Sequence, residues 1–387
     1  MIKVSIIIPT LNRAHLLKSA LKSAIEQDYK DLEIVVCDDY SDDNTKEVAE
    51  SFDSKNIVYV RTDKRLNMSD TFEFSLNKAK GEYLTFLTDT CYLLPNCIST
   101  AVEELAKSKV KLIMWRNCVY CHPDWFEIGR RNTLQIPSFT FKTYLIDSKI
   151  ALKELYSNIY DRTIPKSINS LCHKSVIQEA IKIQGRFFSY PTPDRTSAVS
   201  MLANTSSFAL IDKPLFIGSI STANIGASQS FNLGKSAQNF LKGFKEKKME
   251  EIAFWGIYTT SALNIKSLEN AGKFYPGICP AIDIKNAVAE IAESLVKLET
   301  YGTDVSNYWK MLYNNIISRR EKLGKTILKR KIKSIAKWKI VKLIRSVPCL
   351  YRLESLVRKT RILKGDKYKF NDIEGCAKLI ADKGYAK

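Results

Sequence analysis

Strand-like and helix-like patterns alternate through the first hundred residues, which predicts an α/β protein built on a mostly parallel, doubly wound sheet. Three observations carry that prediction. Short apolar, β-branched runs recur (VSIIIP, LEIVV, YLTFL), each of strand length. Segments with apolar residues at helical spacing separate them. Polar or acidic residues close each run, at the strand ends where sheets of this class bind ligands.

KVSIIIPTLN reads as a buried strand that breaks at Pro9-Thr10. RAHLLKSALKSAIEQ follows as a helix, with Leu16, Leu17, Ala20, Leu21, Ala24 and Ile25 on its apolar side. DLEIVVCDDYSDDNT is a second buried strand closing on the pair Asp38 and Asp39, and DNTKEVAESF opens another helix. NIVYVRT is a third strand. MSDTFEFSLNKAKG is a helix expected to stop at Gly81, and EYLTFLTD a fourth strand that ends on Asp89 between Thr88 and Thr90. One acid at a strand end is as readily a helix cap as a ligand. Three at corresponding ends of one sheet make a shared site the better expectation.

From about Lys109 the pattern becomes richer in strands: KLIMWRNCVY, NTLQIP, and one or two in FALIDKPLFIGSIS, with the helix KSVIQEAIKIQG between them. The expected organisation is a domain over 1–235, with a nucleotide lobe to about 108 and an acceptor lobe over 109–235. A helical appendage over 236–318 and a basic, amphipathic tail over 319–387 follow.

The length is enough to bury a sizeable core. The net charge is +19 and unevenly placed: residues 319–387 hold 22 Lys and Arg against 6 Asp and Glu, and the first 318 are near neutral. The basic segment therefore expects an anionic partner of its own. Within KTILKRKIKSIAKWKIVKLIRSV, the residues Leu328, Ile332, Ile335, Ala336, Ile340, Leu343, Ile344 and Val347 fall broadly on one helical face. That pattern fits a helix lying on an anionic membrane surface through residues 319–369, or one packed on the body with a solvated basic face. Nucleic acid is not expected, because aromatic residues are sparse among these charges.

The opening apolar run is too short for a signal-peptide core, and no stretch approaches the ~20 apolar residues of a membrane span. Nine scattered cysteines suit reduced thiols. The expected location is cytoplasmic, peripheral on the inner face of the membrane. CVYCH, Cys118 to His122, has the spacing of a haem-attachment motif, but no second ligand pair accompanies it for zinc. Two thiols on one strand and its turn are expected instead.

A site for a nucleotide sugar needs a carboxylate for the base, polar groups for the ribose and a cation for the diphosphate. Divalent cations bound to phosphates take hard oxygen ligands, usually one or two carboxylates and water. Asp38 or Asp39 suits the base or ribose, and Asp89 the metal. A further carboxylate is needed to take a proton from the acceptor hydroxyl. Asp194 in SYPTPDRTSAV, after a Pro-x-Pro turn, is the candidate, although that position equally suits a helix N-cap.

VSIIIPTLNRAHLLKSALKSAIEQDYKDLEIVVCDD closely resembles the opening of the family-2 glycosyltransferases, inverting enzymes of the GT-A fold. RLNMSDTFEFSLNKAKGEYLTFLTDTCYLLP, GRFFSYPTPDRTSAV and IGSISTANIGAS resemble later motifs of a branch that builds bacterial surface polysaccharide or lipopolysaccharide. The resemblance covers Lys3 to about Gln229. It implies that Pro9, Thr10, Asn12 and Arg13 line the nucleotide pocket, with Asp38 on the base and Asp39 near the ribose. It further implies that Asp89 holds Mn²⁺ or Mg²⁺ and that Asp194 is the catalytic base. The departure lies at Thr88-Asp89-Thr90, where the family has an acidic triplet. Three consequences are open: metal held by Asp89, diphosphate and water; a diphosphate neutralised by Arg13, Arg65 or Arg195; or weakened catalysis. The expected function is transfer of a sugar, UDP-linked in the first instance, to a hydroxyl of a glycan or lipid-linked acceptor with inversion. The alternative is a non-catalytic nucleotide-sugar or glycan-binding subunit of a membrane assembly.

Overall fold

The computed structural model describes residues 2–157, 163–231, 234–319, 323–346 and 360–384. β1 (Val4–Thr10) and β2 (Leu32–Asp38) are buried along their whole length. Unbroken apolar runs have no face to offer water, so they take central places in the sheet. β1 is parallel both to β2 and to β4 (Tyr83–Phe86), and β3 (Ile57–Arg61) continues the parallel set beyond β2. Successive residues then serve opposite layers. Ile6, Ile8, Ile34 and Val36 pack with Leu17 and Leu21 of α1 (Ala14–Ile25) and Ile98 of α4 (Cys97–Ser108). Ile7 and Val35 face Phe72 and Leu76 of α3 (Met68–Leu76). A short α2 (Thr45–Glu50) joins β2 to β3.

One local expectation is corrected, and a second is narrowed from one or two strands to one. The helix α3 stops at Leu76, well before Gly81. Gly81 serves a close crossing instead: a Cβ there would lie 2.6 Å from the backbone nitrogen of Ser5. FALIDKPLFIGSIS is a single strand, β10 (Ser207–Ile220), whose register shifts around Pro214 and so absorbs the missing N–H.

The second half of the sheet is mixed. β9 (Ser170–His173) is antiparallel to both β4 and β6 (Leu112–Cys121), and β7 (Thr133–Pro137) is antiparallel to β6. β10 runs parallel to β6 and pairs antiparallel with β5 (Tyr92–Leu93) and β8 (Thr143–Asp147). Cys118 and Cys121 are both buried on β6, in separate apolar clusters. No group of three potential metal-ligating side chains forms among the described residues. Helices α5 (Ser148–Ser157), α6 (Lys174–Gln184) and α7 (Pro193–Ala203) back this half, and α8 (Ile225–Gln229), α9 (Gly234–Lys242) and α10 (Met249–Ile252) follow β10.

The helices α11 (Thr260–Gly272), α12 (Ile284–Thr300) and α13 (Ser306–Ser318) do not stand apart from the sheet. Their buried residues Ile265, Ile291 and Leu312 share one apolar cluster with Ile7, Val35 and Phe86.

The described parts of the basic segment are likewise built into the body, while residues 320–322 and 347–359 of the expected membrane-facing stretch lie outside the described residues. α14 (Gly324–Ser346) lies along α12 with Ile327, Ser334 and Arg345 buried. β11 (Thr360–Lys364) pairs antiparallel with β7 and so extends the sheet. After α15 (Gly365–Tyr368), α16 (Ile373–Asp382) covers Tyr120 and Leu134, and its Glu374 accepts from Lys22 Nζ of α1 at 2.6 Å. The expected apolar face of α14 splits in two. Ile335 packs inward, whereas Leu328, Ile332, Ile340 and Leu343 are 57–61% exposed. Val347 lies outside the described residues. No helix among the described residues is long and apolar enough to cross a membrane.

Candidate functional site

The parallel strands finish together, and their ends bring most of the expected residues to one edge. Thr10 is level with Asp38 in the β1–β2 register. The backbone N–H of Asp39 donates to Thr10 O at 2.9 Å. Asp89, three residues past β4, accepts from Thr10 Oγ1 at 2.9 Å and from Arg13 Nη1 at 3.1 Å. Pro9 is tolerated here because β1 meets β4 only as far as Ile7 in their register, so no ladder donor is required of it on that side.

The β1–α1 loop is shaped by Asn12 and Arg13. Asn12 adopts φ 52°, a left-handed conformation that asparagine takes more readily than most residues. Its N–H donates to Ser41 Oγ at 2.9 Å and its Oδ1 accepts from Asp42 N at 2.7 Å, so the loops after β1 and β2 are stitched together. Arg13 stands at the N-cap position of α1. Its Nη2 donates to Ala223 O at 2.6 Å, reaching the loop after β10. That loop closes over the strand end: Asn224 Nδ2 donates to Thr90 Oγ1 at 3.0 Å, and Thr222 N donates to Asp124 at 2.9 Å.

The two acids of β2 face differently. Asp38 is fully buried and accepts from Ser41 N at 2.8 Å, Tyr59 OH at 2.7 Å and Arg61 Nη1 at 3.2 Å. Asp39 accepts from Leu66 N at 2.9 Å and Thr62 Oγ1 at 3.2 Å. Burial outweighs those bonds and pushes its carboxyl up to about 6. Arg65 pairs with Asp42 at the exposed lip of the β2 loop.

Asp194 lies in the first turn of α7, with Thr192 at the N-cap, so the expected capping position belongs to another residue. Its carboxylate is 35% exposed and Lys166 Nζ is 3.8 Å away. No hydrogen bond joins Asp194 to the Asp89 group among those found for the described residues. Arg195, the next residue, is buried within the helix layer.

Sequence reasoning missed the partners that come from afar. Tyr59 and Arg61 sit on an edge strand, and Lys166, Ala223 and Asn224 sit in connecting segments that carry no periodic signal. Beyond Asn224, α8 leads to Gln229 on the wall of a cleft of about 360 Å³, also lined by Tyr258, Asn307, Tyr308 and Met311.

Asp89 offers a divalent cation little. It is the single acid of its strand end, its neighbours Thr88 and Thr90 carry neutral hydroxyls, and both its oxygens already accept hydrogen bonds. A single carboxylate among neutral hydroxyls is a poor set for a divalent ion: an ion here would depend on Asp89, diphosphate oxygens and water, and would share Asp89 with Arg13 and Thr10.

Residues 5–170 match the sequence model of Glycosyl transferase family 2. A segment of 105 residues is 38% identical to the GalNAc(5)-diNAcBac-PP-undecaprenol beta-1,3-glucosyltransferase of Campylobacter jejuni, covering 26% of this chain and 34% of that protein. Another of 107 residues is 30% identical to the UDP-Glc:alpha-D-GlcNAc-diphosphoundecaprenol beta-1,3-glucosyltransferase WfaP of Escherichia coli, covering 28% and 43% respectively. The chain thus spans between a third and a half of these relatives' lengths. The mannosyltransferase PcManGT of Pyrobaculum calidifontis, solved with GDP-Man and Mn2+, overlaps at a TM-score of 0.42 and 16% identity, over 86% of this chain and 87% of that one.

Proposed function

We propose, from the match of residues 5–170 to the model of Glycosyl transferase family 2, that this chain moves a sugar from a nucleoside-diphosphate sugar to a hydroxyl of a glycan or lipid-linked glycan in bacterial surface-polysaccharide assembly. The observation that carries the reading is the convergence of Thr10, Arg13, Asp39 and Asp89 at one strand edge. A UDP-sugar donor and an acceptor on a polyprenyl diphosphate follow the chemistry in the relatives' names. Residues 1–235 form the transferase unit in this reading, with 236–387 built onto it.

The chemistry is an in-line displacement. The acceptor oxygen attacks the anomeric carbon, and the bond from that carbon to the diphosphate oxygen breaks, its electron pair leaving with the diphosphate. The configuration inverts. Asp194, partly exposed at the start of α7, takes the acceptor's proton. The base and ribose lie over Asn12 and the β2 loop, with Asp39 toward the ribose. Asp38, engaged by Tyr59 and Arg61, holds that loop rather than the ligand. The acceptor sugar enters from the cleft at Gln229, whose two tyrosines give a sugar ring faces to pack on. The outer stripe of α14, among exposed lysines, rests on the anionic inner face of the membrane, near a lipid-linked acceptor.

The test is release of nucleoside diphosphate from a panel of nucleotide sugars, with and without a polyprenyl-diphosphate-linked sugar. Asp194→Asn is expected to lower kcat by about 10²- to 10⁴-fold with donor affinity retained. Nucleotide binding without turnover of any donor would instead favour the non-catalytic reading, which Thr88 and Thr90 beside Asp89 keep in view.

A further inference from the structure

A diphosphate leaving group needs positive charge, and the strand end supplies it from within the chain. Asp89 Oδ2 is taken by Thr10 and Oδ1 by Arg13, and the same guanidinium is anchored on Ala223 O. A cation at Oδ1 would share that oxygen with the arginine, placing two positive charges on one carboxylate. The acids of β2 are turned to other partners: Asp38 to Ser41, Tyr59 and Arg61, and Asp39 to Leu66 and Thr62. The side chains flanking Asp89 are hydroxyls engaged with Cys91 and Asn224, so they add no further negative charge to this edge.

We propose that Arg13, aimed by Asp89 and Ala223 O, neutralises the donor diphosphate in place of a divalent cation, so that nucleotide binding by this chain is independent of metal. This rests on the reading of the Asp89 edge as the donor site. The Arg13 side chain is 20% exposed against 2% for Asp89, so the guanidinium and not the carboxylate is what a ligand meets. Two of its five N–H groups are used in the two contacts, and the remainder form a planar fork suited to phosphate oxygens. Asp89 is then a positioning residue: it fixes the fork rather than an ion.

Calorimetric titration of the full chain with UDP, and with thymidine, cytidine and guanosine diphosphates, in excess EDTA and in MnCl₂, tests the inference. The nucleotide that binds is expected to do so with Kd unchanged within about twofold between the two conditions, a difference under half a kcal/mol. Arg13→Ala is expected to weaken the diphosphate by about 10- to 100-fold, the loss of charge-assisted hydrogen bonds, and to leave the parent nucleoside unaffected. Arg13→Lys should recover part of that. The double variant Arg13→Ala with Asp89→Asn strands no buried charge, so the loss remains measurable should the single variant fold poorly. Binding that appears only with Mn²⁺ overturns the inference and leaves the donor site standing. Equal weakening of nucleoside and diphosphate in Arg13→Ala also overturns it, because that is the mark of a structural role. Failure of every nucleotide under both conditions overturns the donor site as well.

Discussion

Asp39 is 3% exposed, and burial raises its carboxyl from the ordinary 3.8 to about 6. The sign of its effect on stability follows. Between about pH 4 and 6 the folded chain holds a proton that the unfolded chain has lost, so stability falls as pH rises through that window. A shift of two units corresponds to roughly 3 kcal/mol. Urea unfolding followed across that window should show a decline in the parent that is missing in Asp39→Asn; parallel profiles for the two proteins would count against the assignment. The same residue illustrates what is legible locally. A strand closing on Asp38-Asp39 marks the edge of a site, but which acid is engaged depends on Tyr59, Arg61, Thr62 and Leu66, all more than twenty residues away.

Among the elements, α14 carries the clearest division of labour. Its inner side, with Ile327, Ile335 and Trp338, packs on the helical layer, and Arg345 reaches buried Glu127 at 3.2 Å. Its outer side combines Leu328, Ile332, Ile340 and Leu343 with the exposed Lys325, Lys329, Lys333 and Lys339. Each lysine near an anionic surface contributes about 1 kcal/mol, and the aliphatic side chains add burial among the lipids. Replacing the four aliphatics by serine should abolish sedimentation with phosphatidylglycerol vesicles. Unfolding midpoints should barely change, because none of the four is buried. Retained sedimentation would remove this face from consideration, and loss of a dimer instead would assign it to a second copy of the chain. Helical periodicity identified an apolar α14 face but not two, since two stripes on one helix overlap in a sequence pattern and separate only when a partner helix covers one of them.

For the whole molecule, the basic segment is both a surface and a structural part. β11 extends the sheet beyond β7, α16 covers Tyr120 and Leu134, and Arg345 neutralises Glu127 beside Arg130 and Tyr301. Without Arg345, buried Glu127 keeps only Arg130 as an ion-pair partner among the described residues, alongside the hydrogen bonds from Tyr301 and Trp125, which weakens a buried ion pair. A chain ended at Ser318 should therefore melt several degrees below the full chain or fail to stay soluble. An unchanged Tm would mean that the segment is dispensable to the fold. By itself the sequence determined the parallel half of the sheet, β1 through β4 with their helices, because buried strands and amphipathic helices write their periodicity into consecutive residues. It also marked Asp38, Asp39 and Asp89 as one edge, because strand ends in such a sheet coincide, while Thr10 and Arg13 were added only by the family resemblance. Only the tertiary structure decided that Arg13 sits on Asp89, that the loop at Ala223 closes over both, and that the basic segment is built into the body. Those contacts join residues up to hundreds of positions apart, and no local pattern encodes a pairing made by the closing of the chain upon itself.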